Sequence, residues 1–204
     1  MTISRRDIVQ MLRDENALLK TRNQQVSDKL SRQQQALRVL SEIDEVLMDM
    51  KSVSDVGQFI HRLLSLILHA CNSNDGSLLL LDDDSDELVF AEVIGQSADQ
   101  LKNQRIPKDT GIVGQSIASR KAILIKDVKK SDVWSPLIDN SIGYSTKSLL
   151  CAPLIASDSV LGAVEVVNSK GDSGFDENDL TILSVTARLV SLVLLKTESF
   201  SEVI

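Results

Sequence analysis

The sequence has 204 residues, 43% of them hydrophobic, and a formal net charge of −7. That is enough apolar side chain for one domain with a sizeable core plus an extended element. An acidic chain whose basic residues Lys126, Lys129 and Lys130 are interleaved with acids lacks the phosphate-neutralising surface of a general nucleic-acid binder.

No continuous stretch reaches the ~18 apolar residues of a membrane span, and the opening run Met1–Asp7 lacks the apolar core of a signal peptide. Cys71 and Cys151 lie far apart in apolar stretches without ligand spacing, so they read as buried, reduced thiols. The expectation is a cytoplasmic protein with neither nucleic acid nor membrane as a partner.

From Ile8 to Met50 there is no glycine or proline, and polar residues crowd the segment. A heptad repeat runs through it, with Leu12, Leu19, Val26, Gln33, Leu40 and Leu47 on one seam. Val9, Asn16, Asn23, Leu30, Leu37 and Asp44 lie on the other. With the first seam at d and the second at a, Asn16 and Asn23 fall where asparagines hydrogen-bond across a parallel two-stranded coiled coil. The expectation is a homodimer through this segment; the alternative is a single amphipathic helix packed on its own domain. The chain is therefore divided into a coiled-coil helix (1–50), a globular domain (51–198) and a tail (199–204).

In the globular part, Ser54-Asp55 is read as the cap of a helix with Phe59, Ile60, Leu63, Leu64, Ile67 and Leu68 on its apolar face. Asn74-Asp75-Gly76 is a turn signal before a strand at Ser77–Leu81. The acidic tip Asp82–Glu87 joins it to a second strand, Leu88–Ile94. Gly111–Gly114 opens a short helix reaching Arg120, and Ala122–Asp127 reads as a strand. Ser131–Ser145 is a long irregular segment with a helical turn. The hairpin Ser148–Ile155 and Val160–Val167 follows, then a final amphipathic helix, Asp176–Lys196. The fold class is α+β, one antiparallel sheet flanked by helices and preceded by the long coiled-coil helix.

Three stretches carry a family resemblance: Asp109-Thr-Gly-Ile-Val-Gly-Gln after Arg105-Ile-Pro, Thr146-Lys-Ser-Leu-Leu-Cys-Ala-Pro-Leu, and Leu161-Gly-Ala-Val-Glu-Val-Val-Asn168. In this order they resemble a GAF domain over Ser52–Thr197. The nearest likeness is to the GAF domains that regulate cyclic-nucleotide phosphodiesterases and adenylyl cyclases. Gly143-Tyr-Ser-Thr146 is similar to their Gly–aromatic–x–Thr turn, and Asn168, Phe175 and Asp179 to their Asn-Lys…Phe…Asp signature. Ser169 stands where the family has lysine, with Lys170 one position late; the resemblance implies a structural ion pair from that lysine beneath the pocket.

The resemblance implies a sensor for a purine cyclic nucleotide, coupled through dimeric helices to an output module in a longer signalling protein. It implies ligand contacts at Ser77, Ile94, Gly95, Ile112, Val113, Gly114, Asp139, Ile142, Thr146 and Glu165. The residue types suit such a ligand. Free N–H groups at a helix start can hold a cyclic phosphate, isoleucine and valine can pack on a purine, and Thr146 and Asp139 offer hydrogen bonds. Guanine-reading relatives carry an acid at the position of Gly95, so glycine there turns the expectation from cyclic GMP towards cyclic AMP. The apolar residues also read as plain core. Glu165, inside the apolar run Ala163–Val167, either faces solvent by alternation or enters a polar pocket.

Other functions fit less well. Thiol reduction of methionine sulfoxide needs an accessible, polarised thiolate, and catalytic triads are not apparent because His61 and His69 share one helix. The chain is read as a regulatory domain rather than an enzyme, with no catalytic cofactor. Ser131–Ser145 has no cysteine to hold a bilin, and a haem or iron ligand set is lacking. Asp82, Asp84 and Asp86 mimic a calcium loop without its glycine or closing glutamate, so no metal is expected. The remaining alternative is a GAF domain without ligand, used for dimerisation alone.

Overall fold

The computed structural model describes residues 5–49, 56–82, 84–171 and 174–196, and the chain divides into two units, Met1–Arg38 and Val39–Ile204. The stretch without helix breakers forms one long helix, α1 (Arg5–Asp49). Val9, Leu12, Leu19, Val26, Leu30 and Leu37 are all exposed along it. Asn16 turns its side-chain amide back to the Leu12 carbonyl at 3.0 Å. The side chains of Gln33, Leu40, Asp44 and Leu47 lie outside the described residues, as do the Ser54-Asp55 cap and the tail.

The second unit is built on a six-stranded, wholly antiparallel sheet in the order β3-β2-β1-β6-β5-β4. Its strands are β1 (Ser73–Asp82), β2 (Glu87–Ile94), β3 (Arg105–Pro107), β4 (Ile123–Ile125), β5 (Leu149–Ala156) and β6 (Ser159–Ser169). Alternation along the strands gives the sheet two apolar faces. Leu78, Leu80, Leu150, Ala152, Leu154, Val164 and Val166 form one core with α2 (Val56–Ala70) and the last helix, which is α6 (Glu177–Lys196) once the short helices below are counted. The intervening residues Leu79, Cys151, Leu149 and Ala163 form a second core on the other face. Three short helices cover it: α3 (Ala98–Leu101), α4 (Gly111–Ser119) and α5 (Leu137–Ile142).

The start of α6 is closed reciprocally. Asp176 Oδ1 accepts from the Asn178 and Asp179 amides at 2.8 and 3.1 Å, while Asp179 Oδ2 accepts from the Asp176 amide at 2.8 Å, which satisfies the helix's first donors. Leu183, Ala187, Val190 and Leu194 bury one stripe of α6, with Val193 beside them, while Val185, Leu192 and Leu195 stay exposed. By length and apolar content Glu177–Leu195 would also suffice to cross a membrane; here one side of it is core.

Two sequence expectations change. Asn74-Asp75-Gly76 lies inside β1, and the turn comes earlier, at Cys71-Asn72, where Asn72 has a φ of 51°. Ladders on both sides, Asp75↔Val167 and Gly76↔Ile94, and the Ser73 hydroxyl on the Val167 carbonyl at 2.6 Å, override the local turn composition. The Ala122–Asp127 strand shrinks to Ile123–Ile125, because Asp127 instead caps the 3₁₀ turn Val128–Lys130 through the Lys129 amide at 3.1 Å.

Candidate functional site

Between the second sheet face and the covering segment is a cavity of about 110 Å³. Ser77, Asp75 and Glu165 reach it from the sheet, with Phe90, Val93 and Ile94 beside them. Thr110, Gly111, Ile112 and Val113 at the start of α4 form one wall, and Trp134, Ile138, Asp139, Ile142, Tyr144 and Thr146 form the roof. Most of this lining is apolar. Among the lining residues described, none is Lys, Arg or His.

The strand register explains the polar floor. Ser77 and Cys151 both pair with Glu165 across β6, and Val164 and Val166 point to the opposite core. Both faces of the sheet are covered, so alternation turns Glu165 into the cavity rather than into solvent. Burial pushes its pKa up to about 7, against the lowering influence of the Ser77 hydroxyl bonded to it. A buried carboxyl without a cation favours its neutral form.

The roof is fastened at two points. Asp139 accepts from the Thr146 amide at 2.6 Å with Oδ2 and from its hydroxyl at 2.8 Å with Oδ1. Their polar atoms are therefore directed at each other, although both border the cavity. Asn168, at a φ of 56°, is the second fastening. Its Oδ1 accepts from the Lys147 and Ser148 amides at 2.7 and 3.4 Å, and its Nδ2 donates to the Tyr144 hydroxyl and the Ser145 carbonyl, both at 3.0 Å. One side chain thus ties the whole Tyr144–Ser148 stretch to the end of β6.

The sequence pattern of the GAF domain family matches residues 55–194, the same residues that build the sheet, its helices and this cavity. The chain belongs to the GAF domain family. It is distantly similar to phosphodiesterases that are much longer. The alpha' subunit of the cone cGMP-specific 3',5'-cyclic phosphodiesterase of Mus musculus is 35% identical over 43% of this chain and 10% of its own length. The dual 3',5'-cyclic-AMP and -GMP phosphodiesterase 11 of Drosophila melanogaster is 27% identical over 70% of this chain and 11% of its own. This chain therefore spans about a tenth of the length of either relative. In fold it matches the GAF domain from a Coxiella burnetii phosphoenolpyruvate-protein phosphotransferase, with a TM-score of 0.71, 16% identity and coverage of 83% of this chain and 96% of that one.

Of the ten positions that the resemblance implicated, the GAF domain brings eight to the cavity: Ser77, Ile94, Ile112, Val113, Asp139, Ile142, Thr146 and Glu165. Gly95 and Gly114 do not border it. Gly114 is needed where α4 begins, because a Cβ there would fall 2.3 Å from the Asp109 carbonyl carbon. Gly95 has a φ of +118°, and its Cβ would fall 2.2 Å from Asp75 Oδ1. Asp75 is hidden in the sequence by its turn-like context, and no motif there singles out Trp134, although both line the cavity.

The cysteines stay thiols in this environment. Cys71 is raised by burial and then by Asp179 and Asp176, and Cys151 by burial and then Glu165. His61 bonds Glu92 at 2.8 Å and Lys102 bonds the same carboxylate at 2.7 Å. The acidic hairpin tip is paired too, Asp82 with Arg105 and Asp86 with Lys108.

Proposed function

We propose that this GAF domain binds a purine cyclic nucleotide in the cavity under α5 and relays its presence through paired helices to an output module. The observation that carries the reading is the convergence on one cavity of an apolar slot, a polar floor and an open helix start. Thr110 precedes α4 without capping it by its side chain, and the first residues of α4 line the cavity. Backbone N–H groups there suit a singly charged cyclic phosphate without a basic side chain. Ile94, Ile112, Val113 and Ile142 supply apolar surface for a purine, and Ser77 and Glu165 supply hydrogen bonds for ribose or base. The names of the phosphodiesterase relatives, one specific for cyclic GMP and one dual, support the ligand class. The homodimer is part of the proposal: α1 offers two exposed apolar seams, and α6 leaves Val185 and Leu192 uncovered.

Trp134 is the only tryptophan of the chain and lines the cavity, so occupancy has a direct optical readout. Titration with cyclic AMP and cyclic GMP is expected to change its emission, with calorimetry reporting the same affinity. Glu165→Ala is expected to weaken binding by about 0.5–1.5 kcal/mol for a lost neutral hydrogen bond, and Thr146→Ala to weaken it by releasing the roof fastening to Asp139. No heat and no emission change with either nucleotide at millimolar concentration would leave dimerisation as the domain's role.

A further inference from the structure

Position 95 carries no side chain, yet the space that one would occupy is filled. The Asp75 carboxylate reaches it from the neighbouring strand: an added Cβ at Gly95 would meet Asp75 Oδ1 at 2.2 Å and Cγ at 2.8 Å. Pairing of Gly76 with Ile94 sets Asp75 beside residue 95, and strand alternation puts it on the same face as Ser77, where it borders the cavity.

The carboxylate is held in place. Its Oδ1 accepts from the Gln96 amide at 2.8 Å. Tyr144 faces it from the roof, and burial first, then Asp75, push the Tyr144 pKa up to about 12. That hydroxyl itself accepts from Asn168 Nδ2 at 3.0 Å. The Tyr144 hydroxyl also hydrogen-bonds the Asp75 carboxylate, and with no Lys, Arg or His among the described residues of the lining, no cation there pairs with it.

We propose that Asp75 reads the nucleobase of the ligand and selects guanine over adenine, taking over from β1 the role that an acid at position 95 would have. The inference rests on the cyclic-nucleotide reading above. A carboxylate is acceptor-only when ionised, so its best partner is an edge with two adjacent N–H donors, such as guanine N1–H and its 2-amino group. Adenine presents the N1 lone pair beside its amino group, and that lone pair would oppose a carboxylate oxygen. In this role Asp75 would reverse the preference for adenine that Gly95 alone implies.

The test is calorimetry on the full chain with cyclic GMP, cyclic IMP (which keeps N1–H and lacks the 2-amino group) and cyclic AMP. The wild-type order of affinity is expected to be GMP, then IMP, then AMP. Hydrogen bonds to charged groups correspond to roughly ten- to hundred-fold in affinity, which sets the expected gap between first and last. Asp75→Asn keeps the size and an acceptor, but its amide can both donate to adenine N1 and accept from the adenine amino group. It is expected to lower cyclic GMP affinity by roughly ten-fold or more and to bring cyclic AMP level with it or ahead. A general loss of fit would lower all three ligands together.

If the wild type binds but favours cyclic AMP, or if Asp75→Asn leaves the ratio unchanged, the assignment of Asp75 is wrong while the ligand class stands. If the wild type binds none of the three, the ligand class falls and Asp75 with it. The wild-type series alone decides the order if the variant does not fold.

Discussion

Replacing Glu165 by glutamine should make the GAF domain more stable in mild base and change little in acid. Glu165 sits among β1, β5 and the cavity, with its carboxyl pushed to about 7 from an ordinary 4.5. The folded state therefore holds a proton that the unfolded chain releases. A raised folded value means that the contribution is fully present below pH 4.5 and is lost as the pH rises through 7. The interval between 4.5 and 7 corresponds to about 3 kcal/mol, the cost of keeping an ionised carboxylate in that site above pH 7. Glutamine is neutral at every pH and can still bond the Ser77 hydroxyl.

Urea unfolding of wild type and Glu165→Gln at matched concentration, from pH 5 to 8, should show a stability difference that grows with pH. By pH 8 the variant should lead by up to about 3 kcal/mol, or roughly 6–12 °C in melting temperature. Taking the difference between the two proteins cancels the other carboxylates, which titrate in both. A difference that is flat across this range, or a variant that is weaker at pH 8, would refute the burial argument.

Asn168→Ala removes four hydrogen bonds from the Tyr144–Ser148 stretch. It is expected to cost about 1–3 kcal/mol of stability and to speed amide exchange at Lys147 and Ser148 while β1 and β6 stay protected. Pairing of α1 predicts that the full chain sediments as a dimer at micromolar concentration. Leu12→Lys with Leu19→Lys should give a monomer that keeps the domain's melting temperature; a wild-type chain that sediments as a monomer overturns the pairing.

The fold was readable in the sequence because its signals are periodic. The heptads, the alternating strands and the final amphipathic helix each repeat over several turns or pleats, and periodicity survives tertiary context. The segments α3 and β3 are too short for any period and went unseen. Glu165 was undecidable for a related reason. Its neighbours are apolar on both sides, as in any strand covered on both faces, and only the helices over the second face close the solvent option. Asp75 was misread because Asn-Asp-Gly is a strong local turn signal, and the partners that hold it extended, Val167 and its neighbours on β6, come from far along the chain. The bonds between Asp139 and Thr146 depend on how the roof folds back, which no spacing rule encodes.

Strand β6 belongs to both cores at once. Ala163 and Glu165 face the cavity side, and Val164 and Val166 face α2 and α6. The pocket floor and the seat of the terminal helix are thus written into alternate letters of the same short word. Close packing leaves little slack to absorb a change in one letter, so a substitution that retunes the ligand also disturbs the helix behind it. Engineering this domain for a new ligand therefore means choosing replacements in pairs across the strand, such as 165 with 164 or 166, and screening for recognition and helix packing together.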